Sequence, residues 1–525
     1  MSIKTPSLAG RVWPLAFLVF FLIGAAWALV TPYAGGPDEV RQIIRAAGVA
    51  EGQVFAKPVS LPAMAYTGTF QTVPQGLVKG GPPIYTNTWC YHKILGQSAV
   101  CAGRPGGPNE HVQRTYLTGV GRYNPIYYAL VGGPLVLWPS WTGILLARLL
   151  SAALCAAFLA SAWLSCREWS RSPMMVAGFL VAITPAFFSM TGVINPNSVE
   201  MAAGVSLAAA AIPLLLDKDS PDVGRWLRRA AVAAIGIGEF RSLGPVLIAG
   251  SLVVLLIPPV RSRLRHLWQQ RSVRLWSGGV VLSCLIGIAW TIAFKTYQIA
   301  RLGNGHYFSS GGIVKTEITG RLLKLVDEMI DGFAYVTKPP TLIFTAWAIA
   351  LGVLLISAFA WGSRPDRWRL AALLGVCGLI PVFVDLTSTN TYGWSFYGRY
   401  IYPVAAGIPL LAAFIAGRSG VLTSQQQTGI VRSITVILLP FQFISLSYMM
   451  ARWQNGAGAG HSLDPFRGQW IPVSGPGLPL LMMLIGLALL GWMAWQAALP
   501  GDYQAAELDK SPADRMAGAE LVEST

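Results

Sequence analysis

The chain has 525 residues, 54% of them hydrophobic and only 12% charged, with 19 Trp and a mean hydropathy of +0.52. A soluble protein of this length needs more polar surface than that, so the composition describes a polytopic membrane protein. The formal charge of +16 does not mark a nucleic-acid binder, because the basic residues are dispersed among short connectors between apolar stretches; membrane lipid, anionic lipid above all, is the better-matched partner.

Val12 to Val30 is uncharged and, at 1.5 Å per residue, long enough to cross the hydrocarbon core. Lys4 and Arg11 precede it and favour a cytoplasmic start. A signal peptide is the other reading, but the apolar run exceeds the usual core of about 7 to 15 residues. Residues 1–30 are therefore taken as a cytoplasmic N-terminus and a retained first span.

Just beyond lies Gly35-Gly36-Pro37-Asp38-Glu39, an acidic pair at the outer membrane surface. Carboxylates held there suit acid/base or metal chemistry. They also suit the first turn of an interfacial helix, since the helix dipole favours them and Val40, Ile43, Ile44 and Ala47 follow at amphipathic spacing. Residues 31–140 form a large extracytoplasmic loop carrying interfacial helices. Cys90 and Cys101 both fall in it, where an oxidising compartment would let them bridge. Residues 123–138, with Tyr127 and Tyr128, are too short to cross and are broken by Gly132-Gly133-Pro134, so they read as an interfacial or re-entrant helix.

Apolar stretches then recur near 141–165, 174–194, 197–216, 230–240, 243–258, 275–294, 341–361, 370–386, 400–416, 433–450 and 478–498, giving about twelve transmembrane helices. The fold class is thus an all-α polytopic membrane protein. Transmembrane helices occupy 141–294 and 341–498. Between them, 295–340 is a second outer loop whose residues 316–333 read as an amphipathic helix on the outer face. The basic connectors, from Arg167 and Arg171 to Arg418 and Arg432, all fall on the cytoplasmic side with Met1, which puts both termini inside the plasma (inner) membrane. Residues 499–525 are a polar cytoplasmic tail.

Four features together resemble a known family: the outward Asp38-Glu39, the segment Tyr123-Asn124-Pro125-Ile126-Tyr127-Tyr128, Asn195-Pro196-Asn197, and Gly398-Arg399-Tyr400 opening a late span. The family is the bacterial membrane group known as domain of unknown function 2142, itself similar to the C-type glycosyltransferases. The resemblance implies a C-type glycosyltransferase-like fold and transfer of a sugar from a polyprenyl-phosphate donor to an envelope acceptor on the extracytoplasmic side. It makes Asp38 the general base of an inverting displacement, with Glu39 as helper, acceptor ligand or metal ligand. Arg399 is the leading phosphate ligand, because a planar guanidinium grips phosphate in two places; Arg241 and Arg122 are further candidates, and Arg241 could instead pair with Glu239. Tyr400, Asn195, Asn197, Tyr127 and Tyr128 complete the expected substrate-binding set.

The sequence departs from the family after Asn195-Pro196, where an acidic residue is usual and Asn197 stands. No cofactor is certain: a divalent cation, Mg or Mn, would have to rely on Asp38, Glu39 and Glu200, and such cations prefer charged oxygen ligands. Asn197 could bind substrate or simply cap the next helix. His306 and His461 lie in outer loops as surface residues or site residues. A transporter or flippase of a lipid-linked saccharide is the competing class, with Glu239, Arg241, Arg148 and Asp385 as its ionisable path. A non-catalytic membrane scaffold is the third.

Overall fold

The computed structural model describes residues 8–61, 66–80, 90–169, 171–217, 223–258, 260–297, 307–333, 339–458 and 461–499. Lys4, His306 and the polar tail from Gly501 lie outside them.

The first span, α1 (Leu8–Val30), turns sharply at its end into α2 (Glu39–Ala50). The first outer segment then holds a small antiparallel sheet of β1 (Val59–Leu61), β2 (Tyr66–Pro74) and β3 (Gln113–Thr118), in the order β1-β2-β3, with the short α3 (Cys90–Lys93) between β2 and β3. Interfacial helices alone are expected here from sequence, and the sheet departs from that. Its signal is the alternation in β2, where Thr69, Gln71 and Val73 are buried and Phe70 between them is exposed. α4 (Ile126–Val131) and α5 (Gly133–Leu137) follow, six and five residues long and therefore too short to cross. They meet at Gly132, where a Cβ would lie 2.3 Å from the Ala46 carbonyl, so only glycine lets this corner sit on α2.

The bundle continues with α6 (Trp141–Glu168), α7 (Met174–Ala182), α8 (Pro185–Thr191), α9 (Pro196–Leu216), α10 (Val223–Phe240), α11 (Gly244–Leu255), α12 (Arg261–Gln269) and α13 (Arg271–Phe294). An outer helical rod follows, made of α14 (Ser310–Thr316), a π-helical turn at Glu317–Arg321, and α15 (Leu322–Ile330). Last come α16 (Thr341–Trp361), α17 (Arg364–Tyr392), α18 (Gly398–Ala405), α19 (Gly407–Arg418), α20 (Ser424–Asn455) and α21 (Gly477–Ala497). Among the described residues nine helices are long and apolar enough to cross a membrane, and the bent pair α7 and α8 makes a tenth. Twelve is reached only by counting α10, which carries Arg225, Arg228 and Arg229, and α11, whose 12 residues span about 18 Å.

The stretch 174–194, expected as one continuous span, is instead bent by 65° at Ile183 and Thr184. Pro185 supplies no N–H, and the Thr184 hydroxyl accepts from the Phe187 amide at 3.2 Å, starting a new helix. The carbonyls freed by the break do not go unmet: Gln442 Nε2 donates to Ile183 at 2.7 Å and the Tyr402 hydroxyl to Ala182.

α9 runs through the middle of the bundle, buried almost throughout and packed on α6, α10, α18 and α19. α13, α16 and α17 turn Leu285, Ile292, Ile356, Leu379 and Phe383 outward, an apolar surface that lipid solvates and water does not. One end of the bundle gathers arginines: Arg229 bridges Glu168 at 2.6 Å, Arg171 bridges Asp217 at 2.9 Å, and Arg418 bridges Asp366 at 2.6 Å. Arg263 and Arg369 donate to the Leu214 and Leu255 carbonyls there, satisfying helix C-termini that have no partner of their own. The acidic loop, the sheet and the outer rod lie at the other end.

Candidate functional site

Asp38 and Glu39 are neighbours with opposite surroundings. The Glu39 side chain is fully buried, and both its oxygens are taken: Arg148 Nε donates to Oε1 and Arg148 Nη2 to Oε2, each at 2.7 Å, while the Ile194 amide donates to Oε1 at 3.2 Å. Arg148 also donates to the Thr31 and Pro32 carbonyls at 2.5 and 2.8 Å. Glu39, expected beside Asp38 as a catalytic helper, is thus the pin that ties the loop to α6 and to the connector between α8 and α9. Arg148, expected on a transport path, is the other half of that pin.

Asp38 is held in the left-handed region, at φ 56°, costing about 1 kcal/mol in a residue that tolerates it better than most. It stands at the N-cap of α2, yet its side chain makes no capping hydrogen bond. The carboxylate turns instead to two guanidiniums. Arg41 Nη1 lies 3.2 Å from Oδ1 and Arg399 Nη2 lies 3.6 Å from Oδ2, with the Asp38 side chain 28% exposed.

Three helix N-termini meet at this point. Asn195 caps α9, its Oδ1 accepting from the Asn197 amide at 3.1 Å, and its Nδ2 donates to the Pro37 carbonyl at 3.0 Å, so α9 is fastened to the acidic loop. α18 begins at Gly398 and presents Arg399 and Tyr400. The turn between α10 and α11 adds Arg241, whose Nη1 donates to Asn197 Oδ1 at 2.7 Å. The Tyr400 ring carries both cations, Arg241 at 4.3 Å and Arg399 at 4.7 Å from its centroid, and its hydroxyl accepts from Arg399 at 3.1 Å. Asp38, Arg399, Tyr400, Arg241, Asn195 and Asn197 therefore converge. Asn197 does not cap α9, a role Asn195 fills. Glu239, the expected partner of Arg241, accepts instead from Asn124 Nδ2 at 2.8 Å.

Other expected residues stand behind this cluster or away from it. Tyr127 and Tyr128 are fully buried: the first hydrogen-bonds Ser151 at 3.0 Å, and the second donates to Gln42 on α2 at 2.6 Å. Burial holds both phenols above their usual range, so they act as neutral struts. Arg122 donates to the Lys295 carbonyl at 2.7 Å beyond the end of α13, clasping the two segments together. Glu200 is buried within α9, with Oε1 lacking a partner. Among the described residues no three His, Cys, Asp or Glu side chains gather as a metal site. The trio of Asp38, Glu39 and Glu200 does not make a ligand set, since Glu39 belongs to Arg148.

Cys90 and Cys101 form a disulfide. It anchors α3, from which the Tyr91 hydroxyl donates to the Tyr33 carbonyl at 2.8 Å and His92 Nε2 meets the Ala34 carbonyl at 2.7 Å. The bridge therefore supports the turn that enters the acidic loop. Sequence reasoning missed Arg41 and Tyr123: Arg41 sits one helical turn from Asp38, and the Tyr123 ring lies 5.9 Å from Arg241. His461 is exposed, its Nδ1 2.6 Å from the Asn455 carbonyl in a loop of its own.

A family model described as a predicted membrane protein (DUF2142) matches residues 21–408. No curated protein sequence matches the chain. In three dimensions it is similar to crystal structures of ArnT from Cupriavidus metallidurans, in the apo state (14% identity, TM-score 0.41) and bound to undecaprenyl phosphate (15% identity, TM-score 0.44). Each match covers 93% of this chain and 78% of the other.

Proposed function

The chain belongs to the DUF2142 family of membrane proteins, and from the cluster at the mouth of its bundle we propose that it transfers a sugar from a polyprenyl-phosphate carrier to an acceptor of the cell envelope, on the extracytoplasmic side. The observation that carries this reading is Asp38. A carboxylate that merely starts a helix would accept from the amides of its first turn; this one leaves them and faces Arg399 across 3.6 Å.

In the proposed reaction the acceptor hydroxyl attacks the anomeric carbon and gives its proton to Asp38. The bond from that carbon to the phosphate oxygen breaks, and the polyprenyl phosphate leaves with its electron pair. Arg399 and Arg241, stacked on Tyr400, meet the charge that develops there. One displacement with one base inverts the anomeric centre.

A transporter would use its buried ionisable residues as a path. Here Arg148 is locked to Glu39, Glu239 to Asn124 and Asp385 to Arg321, which favours the transferase. The test is the full chain reconstituted in membranes with polyprenyl-phosphate sugars and envelope acceptors. Asp38→Asn should lower transfer by about 10²-fold or more, the scale of a lost general base, in a protein that still folds. Transfer at the parental rate would return Asp38 to a structural role and raise the transporter and scaffold readings.

A further inference from the structure

The outer rod grips the segment that carries Arg399, and it does so through a buried cluster. Its π-helical turn, a distortion frequent at functional places, brings Glu317 and Arg321 to one side. Arg321 Nε donates to Glu317 Oε1 at 2.5 Å, and Arg321 Nη2 donates to Asp385 Oδ2 on α17 at 3.2 Å. The same Nη2 reaches the Phe396 carbonyl at 3.0 Å, and the guanidinium covers the Trp394 ring at 4.7 Å. Two turns on, Glu328 Oε2 accepts from the Gly398 amide at 2.8 Å. A Cβ on Gly398 would lie 2.5 Å from the Leu325 carbonyl, so the rod and the start of α18 touch backbone to backbone. The next residue is Arg399.

The charges in this cluster do not balance as written. Glu317 and Asp385 are both 0% exposed and share one guanidinium. Glu317 Oε2 and Asp385 Oδ1 have no donor, while the other oxygen of each is taken by Arg321. Two adjoining carboxylates cannot both stay ionised at low cost in a buried place. A single proton shared by the pair leaves the trio of Glu317, Asp385 and Arg321 neutral.

We infer that Arg321 is a positioning residue for Arg399, held by a Glu317 and Asp385 pair that shares one proton, so that the outer rod sets the phosphate-binding segment against Asp38. This rests on Arg399 being the phosphate ligand, as proposed above. The charged group that faces the pair is Arg321, from the rod itself.

The test measures binding of undecaprenyl phosphate to the full chain in lipid nanodiscs, with thermal unfolding of the same samples. An amide replaces the protonated member of an acid pair, so Glu317→Gln and Asp385→Asn should each weaken binding by less than about threefold. The double variant leaves Arg321 without a carboxylate, and it should lose tenfold or more in binding measured well below its own, lowered midpoint of unfolding. Arg321→Gln should lose as much, and Arg321→Lys, which keeps charge but loses the fork, should not restore it; the lysine variant also serves if the glutamine one fails to fold. Single amide variants as damaging as the double would overturn the shared proton. Parental binding by both Arg321 variants would overturn the positioning role. Arg399→Ala is the reference: parental binding there as well would place the failure in the phosphate reading itself, whereas loss there with Arg321 silent would condemn this inference alone.

Discussion

Arg148 closes on Glu39 as a two-pronged pair, Nε to Oε1 and Nη2 to Oε2 at 2.7 Å each, with neither side chain open to solvent. The geometry makes the two neighbouring carboxylates separable by experiment. Removing one member of a buried pair strands the other, at a cost of about 3–5 kcal/mol. Glu39→Gln should therefore lower the thermal midpoint sharply, while Asp38→Asn, at a partly exposed position, should stay within about 0.5 kcal/mol of the parent. Thermal melts of both variants in the same detergent decide the matter. Equal losses would mean that Asp38 too is structural.

Arg399 touches Asp38 on one side and Tyr400 on the other, and stacks on Tyr397 at 4.4 Å. Lysine at this position would keep the charge and lose both the fork and the flat face. Arg399→Lys should raise KM for the polyprenyl-phosphate donor about tenfold, roughly 1.4 kcal/mol, with KM for the acceptor nearly unchanged. Steady-state kinetics with each substrate varied in turn would show it. A larger effect on the acceptor would move Arg399 to the other half of the site.

The spans were legible from sequence because a membrane selects for uncharged length, which needs no knowledge of partners: the stretch expected at 341–361 is the helix Thr341–Trp361. The site was legible only in part. Asp38, Asn195, Asn197, Arg241 and Arg399 could be named because motif and sidedness pointed to them. Their roles depend on contacts between distant residues, such as Arg148 with Glu39 across 109 positions and Arg241 with Asn197 across 44, and local pattern carries no trace of these. The bend at Thr184 was readable in Thr-Pro but hidden inside an apolar run. The sheet was missed because β1 has only three residues and β2 and β3, which pair, stand far apart in the chain.

His92 offers a pH test of the support behind the acidic loop. Burial, with the Arg452 guanidinium in the same direction and against the Ala34 hydrogen bond, pulls its pKa down to about 4 from the ordinary 6.5. The sign follows from which state binds the proton first. The unfolded chain protonates His92 near 6.5 and the folded chain only near 4, so the stability linked to this group is complete above about 6.5 and is lost as pH falls toward 4. The loss is at most about 3 kcal/mol across that window. A melting profile from pH 7.5 to 4.5 should fall more steeply for the parent than for His92→Gln. Parallel profiles would show that His92 titrates as it does in a free chain.

Sidedness underlies every functional statement, because polyprenyl-phosphate chemistry at the Asp38 end requires that end to face outward. The arginine-rich end should be cytoplasmic, since translocation disfavours basic connectors and Arg261, Arg263, Arg265, Arg271 and Arg274 crowd one of them. Ser310, opening the outer rod, and Ser262, in the first turn of α12, are both exposed and lie at opposite ends of the bundle. The native thiols give little background: Cys155 and Cys166 are buried, Cys284 and Cys377 are half-buried within spans, and Cys90 and Cys101 are bridged. In intact cells, a thiol reagent that cannot cross membranes should label Ser310→Cys and leave Ser262→Cys untouched until the cells are opened. The reverse pattern would turn the protein over, put Asp38 and Arg399 in the cytoplasm, and remove the outward-facing transferase with them.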